Sequence, residues 1–347
     1  MIISRRSVPL LLAAALGGLL AACGGGEADS DALLIDYQRS LADRLDLTPP
    51  SPEAPHNIGA FPERRDRLVR IPETREGLFN VYALRECHIT TLVAERNSAL
   101  GRVAPASSQW RYELMLWARL EACLASEVPK RLGEADLERL QRLTATKTEQ
   151  LPEVAWNGLF GSDEWAGSFS RVSSPLATTA LSPPEAQLGA LAYLQALTEA
   201  PLDDAPLPDL EELEGHLRAL NGRPYTAELL RTLMLGTQRL EEASALIKLA
   251  LARHDGCQGP ALSSTLDDNE DDERLAAWLG ALDAAAGEWM TRLDPLFDSL
   301  GSPPEAVHAY HRDWLSPGNP ETPLLAFQDA RDRHLALRRD HERRCGT

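Results

Sequence analysis

Apolar residues recur along this chain at the three-to-four spacing of helices, not at the alternation of strands. Leu33, Leu34, Tyr37, Leu41 and Leu45 share one face of a helix that Asp31 caps and that runs to about residue 45. The periodicity then stops. Between Leu47 and Pro72 stand Pro49, Pro50, Pro52, Pro55, Pro62 and Pro72, whose fixed φ and missing N–H groups exclude helix interior and central strand. This stretch is expected to be an extended segment wrapped over the main body.

From Glu76 the pattern resumes. Leu78, Val81, Tyr82, Leu84, Ile89, Leu92 and Val93 make one apolar stripe, with Gly101 as the stop. A second helix starts at Ser107 or Ser108 and carries Trp110, Leu114, Trp117, Leu120 and Leu124 before Pro129. The two are expected to form an antiparallel hairpin about Pro105. Further helices are predicted at about 134–150, 152–160, 185–199, 209–221, 226–253, 272–300, 303–315 and 322–344. Their starts are marked by Pro152, Ser182-Pro183-Pro184-Glu185, Thr226 and Ser302-Pro303-Pro304-Glu305. The expected fold is all-α: a multi-helix, bundle-like domain with a Pro-rich extended N-terminal segment. Residues 32–347 read as one helical domain, and 200–209 is the candidate boundary if it has two lobes.

The first residues follow a different rule. Arg5 and Arg6 precede an apolar run from Val8 to Ala22, too short for a membrane span and right for the core of an export signal. It ends in Leu20-Ala21-Ala22-Cys23, which resembles the bacterial lipobox at all four positions. That resemblance implies residues 1–22 as a lipoprotein signal peptide, Cys23 as the lipidated residue, and 23–31 as the lipidated cysteine with a glycine-led tether. Three acyl chains would give stable anchoring. Glycines follow Cys23, with no Asp at the next position, which by analogy implies an outer-membrane, periplasm-facing, lipid-anchored location. Ser4-Arg5-Arg6-Ser7 touches the twin-arginine pattern, but Pro9 departs from it, so the general secretory route is expected.

Composition narrows the partners. The chain has 347 residues, 44% of them hydrophobic, enough for a substantial core. Its formal charge is −17, and losing residues 1–22, which hold Arg5 and Arg6 but no acid, makes it −19. Such a charge repels phosphate backbones and anionic lipid heads, so nucleic acid is not an expected partner. Membrane contact would come through the N-terminal lipid, and an unidentified envelope protein is the expected partner. Besides Cys23, four cysteines remain: Cys87, Cys123, Cys257 and Cys345. In an oxidising compartment an even number reads as two disulfides, of which the sequence allows three pairings. Cys87 and Cys123 are equidistant from Pro105, so hairpin geometry favours that pair and leaves Cys257 for Cys345.

Two segments carry a family resemblance. One runs from Ile71-Pro72-Glu73-Thr74-Arg75-Glu76-Gly77-Leu78 through Cys87 to Leu92-Val93-Ala94-Glu95-Arg96-Asn97-Ser98-Ala99-Leu100-Gly101-Arg102-Val103. The other is Gln150-Leu151-Pro152-Glu153-Val154-Ala155-Trp156-Asn157-Gly158-Leu159-Phe160. With the lipobox and the Asp36-Tyr37 helix, the chain resembles an uncharacterised, domain-of-unknown-function family of predicted lipoproteins from Gram-negative bacteria. The resemblance implies no activity and carries over no catalytic residue.

Candidate chemistry is sparse. Glu95, Arg96, Asn97, Trp156 and Asn157 form a candidate ligand pocket. Their plainer roles are helix-end contacts, with Arg96 near the negative end of the dipole, and core aromatics, a description that also fits Trp165. His308 and His311, His334 and His341, and His254 near Cys257 lack a carboxylate or thiol at metal-site spacing, and no HExxH occurs. No metal and no cofactor is expected. Asp267-Asp268-Asn269-Glu270-Asp271-Asp272-Glu273 fails the EF-hand template, with Asp272 at the glycine position and Trp278 at the terminal glutamate position. It reads as a solvated acidic loop that places negative charge at a helix start. There is no nucleophile elbow, phosphate loop or dinucleotide fingerprint. The function expected is a membrane-anchored periplasmic lipoprotein of unknown activity, a non-enzymatic envelope interaction protein. The alternatives are an envelope hydrolase using Glu95, Arg96 and Asn157, or a carrier of an apolar small molecule, for which a cavity of several hundred cubic ångströms is the expected sign.

Overall fold

The computed structural model describes residues 29–199, 209–253, 257, 260–301 and 303–346; Cys23, His254 and the candidate boundary at 200–208 lie outside them. Among the described residues there are helices and turns and no strand. In chain order the helices are α1 (Ser30–Arg44), α2 (Arg64–Arg67), α3 (Leu78–Ala83), α4 (Thr90–Asn97), α5 (Ala99–Arg102), α6 (Ala106–Leu124), α7 (Glu134–Phe160), α8 (Asp163–Gly167), α9 (Glu185–Glu199), α10 (Leu210–Asn221), α11 (Tyr225–Leu251), α12 (Glu270–Asp298), α13 (Glu305–Trp314) and α14 (Pro323–Cys345). The all-α expectation holds.

The long helices make the frame. α11 lies along α14, α1 crosses both α11 and α12, and α9 packs on α10 and α12. Their shared core includes Leu34, Tyr37, Leu41, Leu229, Leu233, Trp278, Trp289 and Phe327. Each such side chain taken from water stabilises the fold by about 1.5–3 kcal/mol. α9 and α10, which flank the candidate boundary, share this core. A smaller core forms elsewhere, from Leu84, Cys87, Ile89, Leu92, Leu116, Leu120, Cys123, Leu140 and Leu143.

Three elements differ from expectation. The predicted helices at 134–150 and 152–160 are one helix, α7, which continues through Pro152. The proline-rich stretch is extended, as expected, except for the single turn α2. The predicted helix over 76–101 is broken into α3, a 3-10 turn (Arg85–Cys87), α4 and α5. His88 takes a left-handed φ of 58° at the first break. At the second, Ser98 turns extended (ψ 165°) and caps α5 through its hydroxyl, which accepts from Gly101 N–H at 3.0 Å. The expected apolar stripe therefore splits: Leu84, Ile89 and Leu92 are buried, whereas Leu78 is 81% and Phe79 88% exposed. The main partner of α6 is accordingly α7, not the 76–101 segment.

Both disulfides form between the pairs that the hairpin argument favoured. Cys87 joins Cys123 with Cα atoms 5.1 Å apart, and Cys257 joins Cys345 at 5.5 Å. The first ties the broken segment to α6. The second ties the end of α14 to the loop after α11.

Candidate functional site

A cavity of about 890 Å³ lies where the proline-rich strap, the α3–α5 segment, α6 and α7 meet. That is toward the upper end of the roughly 300–1,000 Å³ typical of small-molecule sites. Its existence depends on how the strap is held. Asn157 of α7 makes a paired clasp with the strap at Val69: the amide N–H of Val69 donates to Oδ1 and Nδ2 donates to the Val69 carbonyl, each at 2.8 Å. Trp156 Nε1 donates to the Arg67 carbonyl at 2.8 Å, and Gln150 Nε2 to that of Pro72 at 3.0 Å. Arg67 answers by donating to Phe160 O at 2.8 Å. Three side chains of α7 thus satisfy backbone groups at the end of α2 and in the extended chain after it, which have no helix or ladder partner there.

Close packing fixes the opposite wall. A Cβ on Gly158 would sit 2.7 Å from the Trp110 ring, so only glycine lets α6 approach α7 here. A Cβ on Gly101 would sit 2.3 Å from Glu95 O, so α5 folds back tightly on the end of α4. The helices α3 and α5 contribute no buried residue, and α4 contributes only Leu92, so this side of the cavity is a thin wall.

The floor is apolar, from Leu68, Ile71, Val93, Leu116, Leu120 and Leu143. The polar groups around it are mostly engaged. Lys147, almost fully buried, pairs with Glu113 at 2.8 Å. Glu76 is pushed up by burial, but hydrogen bonds from Asn80 (2.7 Å) and Arg142 (3.0 Å) and the charges of Arg142 and Arg139 more than offset this and hold its carboxyl below the usual range. Tyr112 is raised to about 12 by burial and the Glu113 charge, against the opposing charge of Arg96. Among the described residues no serine, cysteine or histidine lines the cavity, and Thr74 supplies its one aliphatic lining hydroxyl. Glu76 is moved down and Tyr112 up, each away from neutrality.

The five candidate pocket residues separate. Arg96, Asn97 and Asn157 line the cavity, and Arg96 lies over the Tyr112 ring at 5.9 Å while donating to Gly101 O at 2.9 Å. Glu95 faces solvent and is not on the cavity, because successive helix positions point about 100° apart. Trp156 is fully buried behind the wall and stacked on Phe160, with centroids 4.0 Å apart. Trp165 is likewise in the aromatic core. Of Glu95, Arg96 and Asn157, the last two share the cavity lining and Glu95 does not.

The acidic run and the histidines form a second polar centre that spacing alone did not reveal. Arg338 is fully buried and donates to Asp272 at 2.6 Å, to Asp268 at 3.0 Å, to Ser263 O at 2.6 Å and to the Tyr37 hydroxyl at 3.1 Å. Arg44 pairs with the same two aspartates, at 3.0 Å from Asp272. Asp272, read as part of a solvated loop, is 1% exposed. Tyr37 also meets His334 Nε2 at 2.5 Å, and His334 Nδ1 meets the Ser244 hydroxyl at 3.0 Å. Tyr37 accepts from Arg338, so its own proton is free to donate to Nε2, which assigns the proton of neutral His334 to Nδ1. Burial, with the nearby Arg338 charge, lowers His334 to about 3. In this tautomer His334 donates from Nδ1 to the Ser244 hydroxyl. His341 is also buried and accepts from Leu262 N–H at 3.3 Å. His311 turns to Asp294 at 2.6 Å, while His308 is exposed. Among the described residues, no three His, Cys, Asp or Glu side chains gather as a metal site would need. Nor is any described helix long and apolar enough to cross a membrane.

Residues 34–347 match a family described as "Protein of unknown function (DUF3080)". The chain belongs to that family. No curated protein and no solved structure matches it. In this DUF3080 chain, the two sequence segments on which the resemblance rested, 71–103 and 150–160, are distant in sequence yet face each other across the cavity. The polar residues of the second, Gln150, Trp156 and Asn157, are largely spent on shaping it.

Proposed function

We propose that this chain is a lipid-anchored, periplasm-facing binding protein whose working site is the 890 Å³ cavity between the strap, the α3–α5 segment, α6 and α7. The observation that carries this reading is a large cavity with many apolar lining side chains, walled by both distinctive segments of the sequence and lined by no serine, cysteine or histidine among the described residues. The anchor is read from Leu20-Ala21-Ala22-Cys23, and the outer-membrane location from the glycines after it. Among the readings open at the sequence level, the cavity favours small-molecule binding over both a hydrolase and a purely protein-docking adaptor. Capture of a further envelope protein is compatible with the exposed apolar side chains of α3, but it is not what the cavity is shaped for.

The test is photolabelling of the full chain with an apolar alkyl-diazirine probe, followed by peptide mapping. Labels should fall in the strap, α4, α6 and α7, and should disappear when Val93→Trp or Val154→Phe fills the cavity. Uniform surface labelling that ignores both substitutions would contradict the reading. Cys23→Ala should abolish incorporation of radiolabelled palmitate into the protein; incorporation that persists would contradict the anchor.

A further inference from the structure

The charge around the cavity is opposite in character to that of the chain. The whole sequence carries −17, yet the cavity walls hold five cations, Arg64, Arg75, Arg96, Arg102 and Lys147, against the three carboxylates Glu73, Glu76 and Glu113. Those carboxylates are all engaged: Glu73 by Arg75 at 2.7 Å, Glu113 by Lys147 at 2.8 Å, and Glu76 by Arg142 and Arg139 from outside the cavity. Arg64, Arg96 and Arg102 have no carboxylate within ion-pair distance among the described residues, although acids outnumber bases in the chain by 52 to 35. Other described arginines, such as Arg70, Arg111 and Arg292, also stand outside the ion pairs, and what distinguishes these three is that they line one cavity together.

Their remaining donors are available. Arg96 commits Nη1 to Gly101 O, and Arg102 commits Nε and Nη2 to Asn97 O. A guanidinium has five N–H donors, so each keeps several for a ligand. Half-buried Arg96 stands beside apolar surface, where a charge-assisted bond to an anion is stronger than in water. Thr74 adds a buried hydroxyl on the cavity that has no hydrogen-bond partner in the protein. The rest of the lining is rich in Leu, Ile and Val side chains and the Trp110 ring, with Lys147 and Glu113 paired to each other.

We propose that the cavity takes an amphipathic anion, a single alkyl or acyl chain on the apolar floor with a carboxylate or phosphate head held by Arg96, Arg102 and Arg64. This rests on the reading of the cavity as a ligand site and adds the chemistry of the ligand. Arginine suits both head groups because its planar fork matches them in a bidentate manner. A neutral head would leave half-buried Arg96 without a counter-charge, and a cationic head would be repelled by all three guanidiniums.

Calorimetric titration of the full chain with dodecanoate, dodecyl phosphate, dodecanol and dodecyltrimethylammonium, each below its self-association concentration, separates the possibilities. Either anion should bind about tenfold or more tightly than dodecanol, with an advantage that shrinks as salt is added. The ratio of the two anions tells carboxylate from phosphate. In Arg96→Gln/Arg102→Gln the advantage should fall to within about threefold while dodecanol binding is kept. If that variant also loses dodecanol, the comparison moves to exposed Arg64→Gln, where the anion advantage must fall by about threefold or the inference fails. Equal binding of dodecanol and the anions overturns the anion assignment but leaves the cavity reading intact. Binding of no probe, or binding that survives Val93→Trp, overturns both.

Discussion

Asn157 and Val69, 88 residues apart, exchange two hydrogen bonds of 2.8 Å and so join α7 to a strap that has no ladder of its own. One amide side chain satisfies both polar groups of one backbone residue through separate donor and acceptor atoms, which an ionised carboxylate, an acceptor only, cannot do. Asn157→Ala should cost about 1–3 kcal/mol, because it leaves the partly buried N–H and C=O of Val69 unpaired. Chemical denaturation checks the magnitude, and amide exchange at Val69 should accelerate with it. Unchanged protection at Val69 would show that the strap is held elsewhere.

Arg338 and Asp272 are both almost fully buried and 2.6 Å apart. Removing one charge strands the other, so Arg338→Met should destabilise by about 3–5 kcal/mol. Arg44 remains to share Asp272, which places the cost toward the lower end. A double-mutant cycle with Asp272→Asn isolates the pair, and the two effects should be strongly non-additive. Simple additivity would mean that the pair does not act as a unit.

His334 supplies a pH dependence with a defined sign. Its folded value is about 3, whereas the unfolded side chain titrates near 6.5, so below 6.5 the unfolded chain binds the proton that the folded chain refuses. Stability contributed by neutral His334 is therefore complete above about pH 6.5 and is lost progressively as pH falls toward 3. At pH 5 the loss is about 2 kcal/mol. His341, lowered by burial and the charges of Arg338 and Arg44, adds in the same direction. Denaturation at pH 7.5, 6.5, 5.5 and 5.0 should show this slope while carboxylates are still ionised. The slope should weaken in His334→Asn, whatever that substitution does to absolute stability; an unaltered slope would contradict the assignment.

The disulfides close loops of 36 and 88 residues in separation. On the chain-entropy estimate each stabilises by about 4–5 kcal/mol. The non-reduced protein should weigh four hydrogens less than the reduced form, and reduction should lower the denaturation midpoint markedly. Cys257→Ser should expose the end of α14 to proteolysis, while Cys87→Ser should loosen the α3–α5 wall. Free thiols in protein isolated under oxidising conditions would contradict both bridges.

Much of the frame was legible because its signals are local. Ser182-Pro183-Pro184-Glu185 announces α9, and the apolar spacing of Leu33, Leu34, Tyr37 and Leu41 names the buried face of α1, whereas Ser107 and Ser108, expected to cap α6, lie inside its first turn and Pro105 takes the cap position. Pro152 misled because it stands in the interior of α7, where a proline removes one helix hydrogen bond, and the packing of the buried Leu151, Val154, Ala155 and Trp156 around it carries the helix through. The stripe from Leu78 to Val93 misled because periodicity does not register a Ser98 cap or a left-handed His88. The cavity was only half legible. Arg96, Asn97 and Asn157 stood out as polar residues in apolar runs, but the roles of Arg64 and Arg102 depend on carboxylates being absent nearby, which no spacing rule reports. The Arg44–Asp272–Arg338 centre joins residues 228 and 66 positions apart, a distance over which composition carries no pairing information.

The central claim is that the cavity holds a small molecule in the cell. Native mass spectrometry of the full chain released gently from its own membranes tests it most directly. The account predicts a fraction of protein carrying a small-molecule mass that collisional activation removes, and its loss in folded Val93→Trp and Val154→Phe protein. A bare chain in all three, or an adduct that persists with the cavity filled, would contradict it.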